Sequence, residues 1–203
     1  MSDRCIVIDF ETTGLSPGAD RAIEVAAVLL EKGRIRDRFQ TLMNPGKRVS
    51  PFIESYTGIT NEMLMSAPVN AKAMSELSRF IGKDRLVAHN ASFDKRFLDY
   101  EFGKIGKRPV EMIACSLLIS RRLYQKVPNY RLQTLVEYKK IEVKGNYHRA
   151  LADAEVTALL WLQIQADIEN TYKVNPSFEF MYQFGKTPKA KIEKFVKEFS
   201  SPS

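Results

Sequence analysis

The stretch CIVIDFETTG, residues 5–14, runs an apolar segment (Cys5, Ile6, Val7, Ile8) straight into Asp9, with a second acid, Glu11, two positions on. A short apolar run closed by a turn-forming segment reads as a buried strand over residues 4–10. A strand alternates its faces, so Asp9 and Glu11 point to one side, roughly 7 Å apart along the backbone. Two like charges that close repel unless a proton or a cation lies between them. Taken alone, such a pair reads as a solvated strand end; a metal-site reading needs partners elsewhere in the chain.

Outward from this strand, alternation recurs in AIEVAAVLLEKG (Ala22 to Gly33) and RIRDRFQTLMNPG (Arg34 to Gly46), with a hairpin turn at Lys32 to Arg34 and a stop at Asn44 to Gly46. Three mostly antiparallel strands follow from this. Apolar spacing then predicts a helix over Val69–Ile81, a short strand over Arg85–His89, and a helix from Ser92 (as N-cap) to about Lys104. EMIAC reads as another strand, followed by helices near Ser116–Tyr124, Asn129–Tyr138 and Ala150–Ile168. Strands first, then strands alternating with helices, indicate an α/β domain with a mixed five-stranded sheet, three antiparallel strands then parallel ones, flanked by helices.

The chain has 203 residues, 44% of them hydrophobic, enough for one full core. Its net charge of +7 suits a polyanionic partner without requiring one. Cys5 and Cys115, the only cysteines, each sit in an apolar, strand-like setting and read as reduced core thiols. The longest uncharged apolar run, Val25 to Leu30, is far too short for a bilayer, and the CIVI run is too short for a signal peptide. A cytoplasmic protein without a membrane partner is the expectation.

Two later segments carry further acids. AHNASFD (Ala88 to Asp94) puts Asp94 in the first turn of a helix that directly follows a strand, where an acid also suits the helix N-terminus. HRALADAEVT (His148 to Thr157) puts His148 five residues ahead of Asp153, which lies beside the apolar stripe of Ala150, Leu151, Ala154 and Val156. An acid directed toward the sheet needs a cation or hydrogen-bond partners.

Together these segments resemble the three exonuclease motifs of the DEDD 3′→5′ exonuclease superfamily: DFETTG the first, HNASFD the second and HRALADAEVT the third. Histidine at 148 is similar to the histidine subclass, which includes the proofreading epsilon subunit of DNA polymerase III and exonuclease X. The likeness runs from Arg4 to about Ile168. It implies an RNase H-like fold and two divalent cations, Mg²⁺ or Mn²⁺, held by Asp9, Glu11, Asp94 and Asp153. Oxygen-only donors suit such hard ions, and the chain has no Cys/His cluster for zinc. By the same resemblance Asp9 bridges the two ions. Glu11 and Asp153 hold the one that activates water, Asp94 the one at the departing 3′ oxygen, and His148 is the general base.

YTGIT (Tyr56 to Thr60) resembles the loop lining the family's nucleotide pocket, with Thr57 where many members carry His. Substrate contacts are therefore expected from Thr12, Thr13, Gly14 and Leu15, from Gly58, Ile59 and Thr60, and from His89, Asn90 and Phe93. Phe93 is equally well read as a core residue spaced with Phe97. Basic residues between Lys95 and Lys144, among them Arg121, Arg122, Lys126 and Arg131, are candidates for upstream phosphates or plain solvated faces.

The expected reaction is hydrolysis of the terminal phosphodiester at a single-stranded or frayed 3′ end of DNA, releasing nucleoside 5′-monophosphates in proofreading or repair. An exoribonuclease of the same superfamily and an inactive nucleic-acid-binding scaffold are the alternatives. The exonuclease domain is expected over residues 1–170. Residues 171–203, with six lysines, three glutamates and aromatics at Phe178, Phe180, Tyr182 and Phe184, form a basic tail. That tail is expected to dock back on the domain, bind a polymerase or clamp, or add a nucleic-acid contact.

Overall fold

The computed structural model describes residues 4–142 and 148–200; Lys144, at the far end of the basic stretch, lies outside them. Five strands form one sheet: β1 (Arg4–Thr12), β2 (Ala22–Glu31), β3 (Arg34–Leu42), β4 (Arg85–Ala88) and β5 (Ile113–Cys115), in the order β3-β2-β1-β4-β5. The β1–β2 and β2–β3 pairs are antiparallel, and β1–β4 and β4–β5 are parallel. The expected mixed sheet is therefore present. Its first hairpin turns on Lys32 and Gly33, both at positive φ (52° and 70°). That pair of left-handed residues suits the right-handed twist of the flanking strands, and glycine takes the second position without strain.

Nine α-helices are described: α1 (Pro51–Thr57), α2 (Asn61–Ser66), α3 (Asn70–Ile81), α4 (Ser92–Lys104), α5 (Ser116–Leu123), α6 (Leu132–Tyr138), α7 (Ala150–Tyr172), α8 (Phe178–Lys186) and α9 (Ile192–Ser200). The short α1 and α2 give no usable periodicity in the sequence and instead rest on their caps. Ser50 and Thr60 accept hydrogen bonds from the N–H groups of Ile53 and Met63. Ser92 is the first helical residue of α4 and makes no capping bond. Asn90, at φ 62°, turns the chain sharply off β4, and its carbonyl accepts from Phe93 N–H at 2.9 Å.

Period-two alternation divides the core into two layers. Ile6, Ile8 and Phe10 of β1 pack with Met74 and Leu77 of α3 and Leu98 and Phe102 of α4. Cys5 and Val7 face the other way, with Ala26 and Val28 of β2, against Ala154, Ala158 and Trp161 of α7. Asp9 and Glu11 continue this second face, so the sheet's own geometry aims them at the start of α7. An ion pair to a buried acid fixes α4 on the opposite layer: the half-buried Arg21 donates twice to Glu101, at 2.8 and 2.9 Å, with Asn70 adding a third bond.

Helix α7 runs on to Tyr172, and the chain beyond it packs on the same core. Phe180 and Phe184 are fully buried in the layer that contains Val7 and Trp161, and α8 lies on α5 and β5. Arg122 of α5 donates to the Thr187 carbonyl at 2.5 Å and to Leu118 at 2.7 Å. Its guanidinium thus holds the C-terminal segment rather than facing a cleft. Among the described residues no helix is long and apolar enough to cross a membrane.

Truncating Phe184 to alanine should cost about 3–5 kcal/mol of stability, the usual range for a buried aromatic. Equilibrium urea unfolding measures this; a loss below about 1 kcal/mol would mean that the C-terminal helices are not part of the cooperative core.

Candidate active site

Every predicted acid reaches the same end of the sheet, at the C-terminal ends of β1 and β4. Carboxylate oxygens of Asp9, Glu11 and Asp153 lie within 4.8 Å of one another. Asp94, only 2% exposed, approaches Asp9 from the start of α4. Its carboxylate accepts hydrogen bonds from its own N–H and from Phe10 N–H, a backbone donor beyond the last β1–β4 pair, Val7 with Val87. Asp94 therefore does answer a helix N-terminus, and it also stands in the acid cluster.

The cluster is short of positive charge. Burial pushes the Glu11 carboxyl from an ordinary 4.5 up to about 8, with Asp153, Glu24 and Asp94 adding to the push and Arg149 opposing it. Burial likewise carries Asp94 to about 7, against the two N–H bonds it accepts. Asp9 is raised well above its usual range, by burial first and then by Asp94, Glu11 and Asp153. Asp153 is raised by burial, partly offset by the His148 N–H. Four carboxyl groups in this state fit a site for hard cations, which would replace the shared protons.

His148, at φ 67°, is exposed and donates its backbone N–H to Asp153 Oδ2 at 3.0 Å. Its ring lies 4.0 Å, centroid to centroid, from that of Tyr56 on α1. Tyr56 in turn stacks on Phe52 at 5.8 Å, and both rings are largely exposed. A cleft of about 890 Å³ opens here, with Asp9, Asp153 and His148 at one side and Arg121 and Arg131 among its other lining residues.

The expected substrate contacts divide. Asn90 is exposed and lines the cleft. His89 also lines it, but both ring nitrogens are engaged inside the protein: Nε2 faces the Tyr130 carbonyl at 3.0 Å and Nδ1 the Ser116 hydroxyl at 2.8 Å. A carbonyl can only accept, so Nε2 carries the proton. Burial lowers the ring's pKa to about 4, which keeps it neutral.

In the first loop Thr12 donates to the Gly14 carbonyl at 2.6 Å, and Thr13 to Asp20 at 3.1 Å. A Cβ at Gly14 would sit 2.5 Å from Asp20 Oδ2, so a side chain there would displace the carboxylate that Thr13 and Ser16 bond. Leu15 is 73% exposed. Gly58 closes α1 at φ 70°, Thr60 caps α2, and Ile59 is fully buried with Ile23, Val49 and Leu64. Ile59 and Thr60 thus shape the loop from within. Thr57 is buried, and its hydroxyl donates to the Ile53 carbonyl at 2.8 Å. Phe93 is half-buried on Phe97, ring centroids 5.1 Å apart.

Two neighbours of the cluster escaped the sequence reading: Glu24 of β2, wholly buried, and its partner Arg149, one residue before α7. The signal was a lone acid inside the apolar strand AIEVAAVLL, which cannot stay charged there without a partner.

A family model described as Exonuclease, that of RNase T, matches residues 6–161. The chain belongs to this exonuclease family. It is a 3′–5′ exonuclease domain of the DEDD superfamily, as the three motifs suggested. Among relatives, the exonuclease domain is 40% identical over 169 residues to DNA polymerase III PolC-type of Oceanobacillus iheyensis, covering 82% of this chain and 12% of that protein. It is 41% identical over 167 residues to the Bacillus subtilis protein of the same name, covering 80% of this chain and 11% of that one. The chain thus spans only a small part of the length of these curated relatives. A solved structure of exonuclease X in complex with 5′ overhanging duplex DNA superposes with a TM-score of 0.70 at 28% identity, covering 89% of this chain and 99% of that one.

The raised carboxyl pKa values fix a pH signature for the metal-free exonuclease domain. Glu11 binds its proton more tightly folded than unfolded, so its contribution to stability is complete below pH 4.5 and is lost as the pH climbs through about 8. In EDTA the melting temperature should therefore fall between about pH 5 and pH 8, and fall less in Glu11→Gln, which cannot ionise. Scanning calorimetry across that range reads the difference; parallel curves for the two proteins would contradict it.

Proposed function

We propose that this domain hydrolyses the terminal phosphodiester at the 3′ end of DNA, on single-stranded or frayed ends, releasing nucleoside 5′-monophosphates. The observation that carries the reading is the meeting of three carboxylates within 4.8 Å, with Asp94 behind them, at one side of a cleft that also holds Arg121 and Arg131. Asp9, Glu11, Asp94 and Asp153 would hold two divalent cations, Mg²⁺ or Mn²⁺. When bound, these supply the positive charge that an in-line displacement at phosphorus requires.

The chain's own groups do the rest. His148 accepts the proton of the attacking water at its exposed ring, while its backbone N–H bond to Asp153 ties the residue to the acid cluster. Arg121 and Arg131 bind the phosphates of the strand entering the cleft. Gly14 and Leu15, with Asn90 and Phe93, border the terminal nucleotide. DNA is favoured over RNA because the PolC-type relatives are DNA polymerases by name and exonuclease X was solved on DNA. The same relatives support proofreading or repair in the cytoplasm beside a polymerase. Any contact through the C-terminal segment would fall to exposed groups such as Phe199. An inactive scaffold is disfavoured, because four mutually repelling acids stand together beside His148.

Single-stranded DNA, duplex DNA and RNA, each labelled at the 3′ or 5′ end and incubated with Mg²⁺ or EDTA, test the reading. The 3′ label should leave first, only with metal, and faster from DNA. Asp9→Ala should abolish digestion, and His148→Ala should lower kcat by about 10²–10⁴-fold with little change in KM. Loss of the 5′ label first, digestion in EDTA or full activity in Asp9→Ala would overturn it.

A further inference from the structure

Glu24 has no exposed surface, yet both its carboxylate oxygens are saturated. Oε1 accepts from Arg149 Nη2 at 2.7 Å and from Gln40 Nε2 at 2.8 Å. Oε2 accepts from Arg149 Nε at 3.2 Å and from Ala150 N–H at 2.9 Å. The last donor is one of the N–H groups that a helix leaves open at its start. Glu24 therefore grips α7 twice, by a two-pronged guanidinium bond and by the helix terminus itself.

What it grips carries the chemistry. His148 precedes Arg149, the Arg149 carbonyl accepts from Asp153 N–H at 3.0 Å, and Asp153 accepts from His148 N–H. On the sheet side Glu24 pairs across the ladder with Glu11, on the face that also carries Asp9. As Asp153, Asp9 and Glu11 ionise, their mutual repulsion would push the first turn of α7 away from β1. The Glu24–Arg149 pair is placed to resist it, and removing either partner strands the other as an uncompensated charge.

We propose that Glu24 and Arg149 are positioning residues that lock the first turn of α7 onto β2, so that Asp153 and His148 stand in register with Asp9 and Glu11 before any cation binds. This rests on the metal-site reading given above and extends it to two residues that touch neither substrate nor reacting atoms.

Titration of Mn²⁺ alone, with free Mn²⁺ followed by electron paramagnetic resonance, tests it. Glu24→Gln and Arg149→Met should weaken Mn²⁺ binding about 10–100-fold, the range for outer residues that orient metal ligands. In both, kcat should fall while KM for an oligonucleotide stays within about twofold. Arg149→Lys, which keeps the charge but not the fork, should fall between them and wild type. Arg38→Met, breaking the ion pair of β3 with Glu155 of α7, should leave Mn²⁺ affinity unchanged.

Wild-type Mn²⁺ affinity in folded Glu24→Gln and Arg149→Met would overturn the proposal. If those two fail to melt cooperatively, Arg149→Lys decides: undiminished affinity overturns it, and a several-fold loss supports it. Asp9→Asn separates the two claims. Should wild type bind Mn²⁺ and Asp9→Asn not, the metal reading stands whatever Glu24 does; a wild type that leaves Mn²⁺ free overturns both.

Discussion

Four carboxylates meet where the central strand ends, and the rest of the structure is arranged around their repulsion. Asp9 and Glu11 come from β1, Asp94 from the first turn of α4 and Asp153 from the first turn of α7. Each is pushed toward its protonated form by burial, and Asp9 and Glu11 by the other acids of the cluster as well. Such a cluster is unfavourable for folding by itself. Its presence beside a cleft, in a chain of this family, would be accounted for by the divalent cations proposed to bind there.

The scaffold makes the meeting possible through simple geometry. Alternation along β1 sends Ile6, Ile8 and Phe10 into one layer and Cys5 and Val7 into the other, leaving Asp9 and Glu11 on the α7 side where the apolar run gives out. Parallel pairing of β1 with β4 brings the β4–α4 turn, and with it Asp94, to the same end. Two internal acids anchor the elements around the site: Glu101 of α4 holds Arg21, and Glu24 holds Arg149 at the head of α7. The C-terminal helices brace α5, one of the cleft walls, through Phe180, Phe184 and Arg122.

Much of this was legible in the sequence because its signals are local. The apolar run of β1, the Lys-Gly hairpin and the apolar stripe of α4 are short-range patterns, and their elements lie within a few residues of expectation. Helices α1 and α2 were not legible, since six or seven residues carry too little periodicity and their caps look like ordinary loop serine and threonine. Arg122 looked like any surface cation, and only the tertiary structure gives it the Thr187 carbonyl. His89 lay within a motif, yet its partners, Ser116 and Tyr130, are 27 and 41 residues away. Glu24 was visible as an anomaly, an acid in an apolar strand, but its partner lay 125 residues on.

The central claim is that these acids form one cation site that is protonated when empty. Mg²⁺ binding followed by isothermal titration calorimetry at pH 7, in two buffers of different ionisation enthalpy, measures it most directly. Saturable binding with net release of protons, lost in Asp9→Asn, is the predicted result, because Glu11, whose pKa is about 8, must give up its proton to a cation. Binding without proton release, or no saturable binding, would contradict the account.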